Sequence, residues 1–169
     1  MAEAFNERVL PAEKAQRYAA VAEEIAAVLA GEPNLTARMA TVAGMLANSF
    51  DDYFWTGFYV VDADKPDELV VGPYQGTLGC LRIAFGRGVC GAAAATGRTQ
   101  IVEDVNAIPN HIACDSRSQS EIVVPVRDKG GRLIAVFDVD SDRRAAFDAL
   151  DAEWLERILG ATFSSSPEA

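Results

Sequence analysis

The residues best suited to chemistry are three cysteines in the central part of the chain, Cys80, Cys90 and Cys114. A thiolate can attack an electrophilic sulfur, and a second thiol can resolve the sulfenic acid that results. Cys114 lies beside Asp115 in a segment without periodicity, where exposure and mobility favour a nucleophile. Cys80 follows a short segment with a glycine at each end, residues 76–79, and can form a disulfide if the two segments pack together. Cys114 is therefore the predicted nucleophile and Cys80 the predicted resolving cysteine.

Cys90 allows two interpretations. It begins an alanine-rich segment, residues 90–96, that predicts a short helix ended by Gly97. A helix N-terminus lowers the pKa of a thiol, whereas the small residues, Gly91 among them, favour a tightly packed and buried side chain. We keep Cys90 as the second candidate for the resolving cysteine, beside the alternative of a buried structural residue.

Three carboxylic acids are candidates for proton transfer and for binding a cation. Glu121 precedes the apolar segment 122–125, so its side chain is predicted to enter an apolar pocket with a raised pKa and to act as the acid. Asp138 and Asp140 are two residues apart on one predicted strand and therefore share a face, where they can hold an ammonium group. The alternative for the two aspartates is a solvated edge strand.

Two aromatic residues and one helix start are further candidates for contacts with a ligand. Trp55 and Tyr59 share one face of a predicted strand and can enclose a methyl group, or they can belong to the core. The backbone N–H groups of residues 88–91, at the start of the short helix, can bind a carboxylate.

The surrounding periodicity predicts the elements that position these residues. Helical spacing extends over residues 11–31 and 34–50, with Asn34 as a capping residue, and returns in a final helix capped by Asp148. β-branched and aromatic residues dominate the predicted strands, which are residues 53–61, 69–74, 81–85, 99–102, 121–127 and 132–140. Residues 128–131 predict a hairpin turn, and residues 103–118 have no period. Helices at both ends of a mostly antiparallel sheet indicate an α+β fold.

Composition narrows the classes of function. The 169 residues, half of them hydrophobic, predict one domain over residues 1–169, with loosely ordered ends near 1–10 and 164–169. The net charge of −10 disfavours nucleic acid and anionic membranes as partners. Neither a leader segment nor a continuous apolar stretch of about 20 residues is recognisable, which predicts a cytoplasmic protein. An odd number of cysteines disfavours a structural disulfide framework there.

Several motifs together resemble one family. They are WTGFY at 55–59, GPYQG at 72–76, GRGVCG at 86–91, IPNHIACD at 108–115, SEIVVP at 120–125 and FDVDS at 137–141. In these motifs the chain resembles the free methionine-(R)-sulfoxide reductases, which are GAF-domain proteins. The likeness covers roughly residues 55–151 and includes all three cysteines in order.

The resemblance implies a six-stranded antiparallel sheet with the helices of both termini on one face. It also implies reduction of the free amino acid L-methionine-(R)-sulfoxide to methionine, a homodimer, and thioredoxin as the reductant, with no cofactor or metal. Contacts to the amino group and the sulfoxide fall, by resemblance, on Glu121, Asp138 and Asp140. The substrate pocket is closed by the loop that carries Cys114.

The residues bear on three alternative functions. A zinc site is not predicted, because no Cys-x-x-Cys or His-x-x-x-His pair occurs and His111 is the one histidine. A cysteine hydrolase that pairs His111 with Cys114 is disfavoured by their spacing in an irregular loop. The remaining alternative is a GAF module that binds a small ligand without chemistry, since a fold does not determine a function.

Overall fold

The computed structural model describes residues 8–109, 111 and 114–164 of the chain. Its centre is a six-stranded sheet in the order β3-β2-β1-β6-β5-β4, and every neighbouring pair is antiparallel. The strands are β1 Trp55–Val61, β2 Glu68–Gln75, β3 Arg82–Ala84, β4 Gln100–Val102, β5 Ser120–Arg127 and β6 Leu133–Ser141. This architecture confirms the predicted α+β class and the six-stranded antiparallel sheet.

Four α-helices accompany the sheet in the part of the chain that the structure describes. They are α1 Lys14–Val28, α2 Leu35–Ala47, α3 Gly88–Thr96 and α4 Ala149–Leu159. A short 3-10 helix, Val105–Ala107, interrupts the segment that was predicted to be irregular, and a π-helical turn, Gly160–Ser164, follows α4. All six predicted strands and all four predicted helices agree with the structure to within about three residues at each end, which is the usual uncertainty of helix and strand boundaries.

Side-chain caps account for three of the helix starts. The Asn34 side chain accepts a hydrogen bond from the backbone N–H of Ala37, and Asp148 forms a capping box with Asp151. Both caps were predicted. The first helix was expected to include Pro11 in its first turn, but it begins at Lys14, because the carboxylate of Glu13 accepts the N–H groups of the first turn.

The terminal helices cover one face of the sheet. Helices α1, α2 and α4 pack on the strand residues that point to this side, including Phe58, Ile122 and Phe137, and together they form the larger of two hydrophobic clusters. Full burial of one such side chain contributes about 1.5–3 kcal/mol. The expected placement of both terminal regions on one face is confirmed.

Helix α3 packs on the opposite face, in a second cluster that contains Trp55, Tyr59, Val123 and Val136. A Cβ on Gly91 would lie 2.4 Å from the carbonyl oxygen of Ala84, so this close approach requires glycine. Gly97 ends the helix in the left-handed region with φ 64°. The predicted tight packing of α3 on the sheet is confirmed.

Strand β6 lies inside the sheet, hydrogen-bonded to β1 on one side and to β5 on the other. The alternative of a solvated edge strand for Asp138 and Asp140 is therefore wrong, because both sides of this strand are occupied. Phe137 and Val139 point to the terminal helices, and the two aspartates point to the face that carries α3.

Among the described residues, none of the helices combines the length and the apolar character needed to cross a lipid bilayer.

Candidate active site

A disulfide joins Cys80, just before β3, to Cys114 in the loop between β4 and β5, with 5.6 Å between their Cα atoms. Two hydrogen bonds hold the surrounding segments together. The hydroxyl of Thr77 donates to Oδ2 of Asp115 over 2.8 Å, and the indole N–H of Trp55 donates to the carbonyl oxygen of Thr77 over 3.0 Å. The 76–79 segment and the Cys114 loop therefore pack side by side, which is the arrangement that a Cys80–Cys114 pair requires. Residues 110, 112 and 113 of the loop motif lie outside the described residues.

Beneath the disulfide is a cavity of about 40 Å³ between α3 and the sheet. It is lined by side chains from five regions of the chain: Phe54, Trp55, Tyr59, Leu78, Ile83, Arg87, Val89, Cys90, His111, Cys114, Asp115, Ser118, Glu121, Asp138 and Asp140, together with Gly79 and Gly88. All eight residues that the sequence suggested individually for catalysis or substrate contact are at this cavity: seven line it, and Cys80 closes it through its bond to Cys114. The structure thus brings together residues up to 85 positions apart, from Trp55 to Asp140.

One wall of the cavity is aromatic. The ring of Trp55 stacks between Tyr59 and Tyr74, with centroid distances of 5.5 and 5.1 Å. A Cβ on Gly79 would lie 2.9 Å from Cζ2 of Trp55 and 3.1 Å from the hydroxyl of Tyr59, so the glycine leaves room for this stack. Trp55 and Tyr59 are buried and also face the cavity, so their place in the core is confirmed, and their contact with a methyl group stays a prediction.

The floor of the cavity carries two buried carboxyl groups and a thiol. In the β5–β6 ladder Glu121 is opposite Asp140, and Val123 is opposite Asp138. Glu121 and Asp138 are 5% and 4% exposed. Burial raises the pKa of Glu121 well above its usual value, and the charge of Asp140 adds to this rise. Burial likewise raises the pKa of Asp138, with further contributions from Asp140 and Glu121.

Asp140 lies nearer to the cavity mouth. Burial raises its pKa to about 6, although a hydrogen bond donated by the hydroxyl of Ser118 opposes the rise. Asp115, by contrast, lies on the loop and accepts hydrogen bonds from the side chain and backbone of Arg117, which hold its pKa below the usual range. The carboxyl groups of the cavity floor are therefore suited to carry protons near neutral pH, and the Asp115 carboxylate next to Cys114 is not.

Cys90 is a buried free thiol in the first turn of α3. Its Sγ lies 4.0 Å from Oε1 of Glu121. Burial raises the pKa of the thiol, and the neighbouring charges of Asp138 and Glu121 raise it further. The possibility that the helix N-terminus lowers this pKa is therefore wrong, because desolvation and the nearby carboxylates dominate.

Two residues that contact the acidic side chains of the cavity were not among the predicted site residues. Nε2 of His111 lies 3.3 Å from Oε2 of Glu121, and Ser118 donates its hydroxyl proton to Asp140. Both belong to the aperiodic segment before β5, where nothing in the local pattern shows the direction of a side chain. The position of His111, three residues before Cys114, was the one available signal.

The profile of the GAF domain family matches residues 39–162. GAF domain-containing protein A of Dictyostelium discoideum is 46% identical over 146 residues, which are 86% of this chain and 90% of that protein. The free methionine-R-sulfoxide reductase of Saccharomyces cerevisiae is 41% identical over 132 residues, which are 76% of this chain and 73% of that protein. The chain belongs to the GAF-domain family of free methionine-(R)-sulfoxide reductases. The family resemblance of the motifs is thereby confirmed.

A solved structure extends the comparison of this GAF domain to three dimensions. The free methionine-R-sulfoxide reductase of Neisseria meningitidis, solved in complex with its substrate, is 46% identical and superimposes with a TM-score of 0.85. The match covers 91% of each chain. The GAF fold and its likeness to a sulfoxide reductase therefore extend over nearly the whole chain.

Proposed function

We propose that this protein reduces free L-methionine-(R)-sulfoxide to methionine with its own thiols. The observation that carries the proposal is the Cys80–Cys114 disulfide above a cavity with an aromatic wall and buried carboxyl groups of raised pKa. The relatives from yeast and Neisseria, whose names state this activity, support the choice of substrate.

The first step transfers oxygen from the substrate to Cys114. In the reduced protein the Cys114 thiolate bonds to the sulfoxide sulfur. The protonated oxygen then moves to the Cys114 sulfur as the substrate S–O bond and the new S–S bond break, which leaves a sulfenic acid on Cys114. Protonated Glu121 supplies a proton to the oxygen as charge develops on it, which its raised pKa permits near pH 7. Methionine then leaves with a reduced thioether.

The second step closes the disulfide. The Cys80 sulfur attacks the sulfenic sulfur of Cys114, and water departs with the two protons that the step requires. One sulfoxide and two thiols thereby yield one thioether, one disulfide and one water molecule. The Cys80–Cys114 bond corresponds to the state after this step, and we assign the resolving role to Cys80 rather than to Cys90 because Cys80 is the bonded partner.

The same cavity offers groups for the other parts of the amino acid. Asp138 and Asp140 are assigned to the ammonium group, whose positive charge would favour their ionised forms. The first turn of α3, which lines the cavity at Gly88, Val89 and Cys90, is assigned to the carboxylate through its N–H groups. Trp55 and Tyr59 are assigned to the methyl group. A site that holds both charged ends of an amino acid excludes residues within a peptide.

Further parts of the proposal concern the setting of the reaction. The disulfide must be reduced after each turnover, and we assign this to thioredoxin, which exchanges its own dithiol for the disulfide. We also propose a homodimer, a cytoplasmic location, one domain over residues 1–169, and catalysis that needs neither cofactor nor metal.

A single-turnover experiment tests the proposed function. Reduced protein, freed of reductant, is incubated with free L-methionine-(R)-sulfoxide, and then methionine and disulfides are measured by mass spectrometry. We expect one methionine per chain and a Cys80–Cys114 bridge in wild type, and neither in Cys114→Ser. Cys90→Ser serves as the matched control and should still form both. Binding of the sulfoxide without any methionine or disulfide would instead favour the non-catalytic ligand-binding module.

The reductant is tested by steady-state turnover. With thioredoxin, thioredoxin reductase and NADPH, wild type should oxidise NADPH when the sulfoxide is added. Cys80→Ser should not sustain this turnover, since its Cys114 sulfenic acid has no partner at the mouth of the cavity. Equal rates in the two proteins would remove Cys80 from the mechanism.

A further inference from the structure

Three potential metal ligands converge on the cavity floor, and a histidine lies next to one of them. Cys90, Glu121 and Asp138 each contribute a sulfur or oxygen atom, and these three atoms lie within 4.8 Å of one another. Nε2 of His111 lies 3.3 Å from Oε2 of Glu121, beside this group but outside it. The three donors come from α3, β5 and β6, so no sequence motif of closely spaced ligands signals the cluster.

A second observation indicates that the cluster is suited to a positively charged ligand. Oδ1 of Asp138 is buried and has no hydrogen-bond partner among the residues that the structure describes. Burying an unpaired carboxylate oxygen is costly, and most buried polar atoms in proteins have a partner. Asp138 is 4% exposed and lines the cavity, so a ligand bound there would lie beside this carboxyl group.

We propose that Cys90, Glu121 and Asp138 form a binding site for Zn²⁺, with His111 beside the Glu121 ligand as its hydrogen-bond partner. A thiolate and carboxylate oxygens are ligands that Zn²⁺ accepts in tetrahedral sites, and the thiolate discriminates against Mg²⁺ and Ca²⁺. Zinc–ligand bonds are about 2.0–2.3 Å long, which places tetrahedral donors roughly 3.3–3.8 Å apart. The observed 4.0 Å from Cys90 Sγ to Glu121 Oε1 is close to this spacing, and all three donor atoms lie within 4.8 Å of one another.

The chemistry of binding balances without a further reactant. Zn²⁺ forms bonds to the Cys90 sulfur and to the carboxylates of Glu121 and Asp138, and a water molecule takes the fourth position. The protons held by the thiol and by the carboxyl groups are released to solvent, so affinity should rise with pH. The cavity of about 40 Å³ exceeds the roughly 10–15 Å³ that one water requires and therefore has room for an ion.

Binding would also have a consequence for the site. Zn²⁺ would occupy the acid and one of the two ammonium-binding carboxylates, so it should act as a reversible inhibitor that competes with the sulfoxide. The predicted inhibition rests on the proposed function, whereas metal binding itself does not.

Cobalt binding to the oxidised protein tests the site directly. The chain has three cysteines, and two of them form the disulfide, so a sulfur-to-cobalt charge-transfer band reports on Cys90 alone. We expect one Co²⁺ per chain, tetrahedral visible bands, the charge-transfer band, and displacement by one equivalent of Zn²⁺. Cys90→Ser should lose the charge-transfer band. It should also weaken Zn²⁺ binding by at least the roughly 100-fold that even an outer-shell partner can contribute.

Two further variants protect the test against a folding defect. Asp138→Asn should weaken Zn²⁺ binding while Cys90 remains in place, and circular dichroism verifies that each variant folds. Asp115→Asn removes a carboxylate outside the cluster, and its zinc affinity should match that of wild type. Binding that shows no charge-transfer band, or that is equal in wild type, Cys90→Ser and Asp138→Asn, would overturn the proposal and indicate surface carboxylates.

The outcomes also separate this proposal from the proposed function. Sulfoxide turnover is measured in parallel with a chelator present. Turnover without specific metal binding would eliminate the zinc site alone, and metal binding without turnover would eliminate the reductase alone.

Discussion

Two buried aspartates, one on each side of the sheet, differ in their hydrogen-bond partners. On the face covered by the terminal helices, Asp151 is 1% exposed. It accepts hydrogen bonds from Lys14 at 2.6 Å, from the Tyr18 hydroxyl at 2.7 Å and from the backbone N–H of Asp148 at 2.8 Å. On the cavity face Asp138 is similarly buried but leaves Oδ1 unpaired.

The difference separates a structural residue from a binding residue. A buried charge that has a cationic partner and several donors stabilises the arrangement that supplies them. A buried carboxyl group without such partners raises its pKa and stores a cost that a cationic ligand can remove. The helix face therefore supplies stability and the cavity face supplies affinity, and variants on the two faces should affect different measurements.

The largest effect is expected for Glu121→Gln on the cavity face. Removal of the acid should lower kcat by about 100- to 1000-fold, because general acid catalysis typically contributes ~10²–10⁴-fold. The free energy of unfolding should not fall, since a buried carboxyl group of raised pKa is replaced by a neutral amide of the same shape. Steady-state kinetics and urea denaturation measure the two quantities. Glu156→Gln, an exposed residue of α4, is the control. A kcat equal to that of wild type would require a different acid.

The opposite pattern is expected for Asp151→Asn on the helix face. Loss of the charge weakens the contacts with Lys14 and Tyr18 and the capping box, and should lower the free energy of unfolding by about 2–3 kcal/mol. The kcat/KM of the folded protein should be unchanged. Glu153→Gln, exposed on the same helix, should stay within about 0.5 kcal/mol of wild type in urea denaturation. If Asp151→Asn altered the kinetics instead, the two faces would not be independent.

Asp138→Asn sharpens the comparison because the substituted residue is equally buried but lies on the cavity face. It should raise KM for the sulfoxide by roughly 30-fold, corresponding to about 2 kcal/mol for a lost hydrogen bond to a charged group. The free energy of unfolding at pH 8 should increase rather than decrease, because the carboxyl group that disfavours ionisation is gone. Asp115→Asn, on the loop, should leave KM within a factor of a few. An unchanged KM in Asp138→Asn would end the ammonium-binding assignment.

The face that each strand residue occupies could be predicted from the sequence because alternation is local. The pairs Asp138 and Asp140, and Trp55 and Tyr59, share a face as their two- and four-residue spacing requires. The caps Asn34 and Asp148 were equally predictable, since a cap acts within three residues. Motif order then supplied the family, although no single motif would have been sufficient.

Contacts between distant segments could not be predicted in the same way. Nothing local shows that β6 is an inner strand, that Ser118 reaches Asp140, or that His111 faces Glu121 rather than Cys114. The contacts of His111 and Ser118 depend on how the aperiodic 103–118 segment packs against the sheet. The direction of the pKa shift of Cys90 could not be predicted from its neighbours in sequence either. It depends on carboxylates that lie more than 30 residues away along the chain.

The smallest effect concerns the pH dependence of stability at Asp140. Its folded-state pKa, about 6, is above the ordinary 3.8, so its stabilising contribution is complete below pH 3.8 and is lost as pH rises through about 6. Asp140→Asn removes this loss and keeps an oxygen that can accept the Ser118 proton. The variant should therefore match wild type near pH 4 and be more stable by on the order of 1 kcal/mol at pH 7.5, because Glu121 and Asp138 share part of the proton exchange.

Asp115→Asn provides a control of opposite sign. The lowered pKa of Asp115 stabilises its ionised form, so loss of this carboxylate should destabilise the protein at pH 7.5 and have little effect at low pH. Urea denaturation of wild type, Asp140→Asn and Asp115→Asn across this pH range measures the free energy of unfolding. It thereby compares a residue of the cavity with a residue of the loop. Parallel curves for wild type and Asp140→Asn would mean that Asp140 titrates as it does in the unfolded chain, and the cavity as a whole would then hold two perturbed acids instead of three.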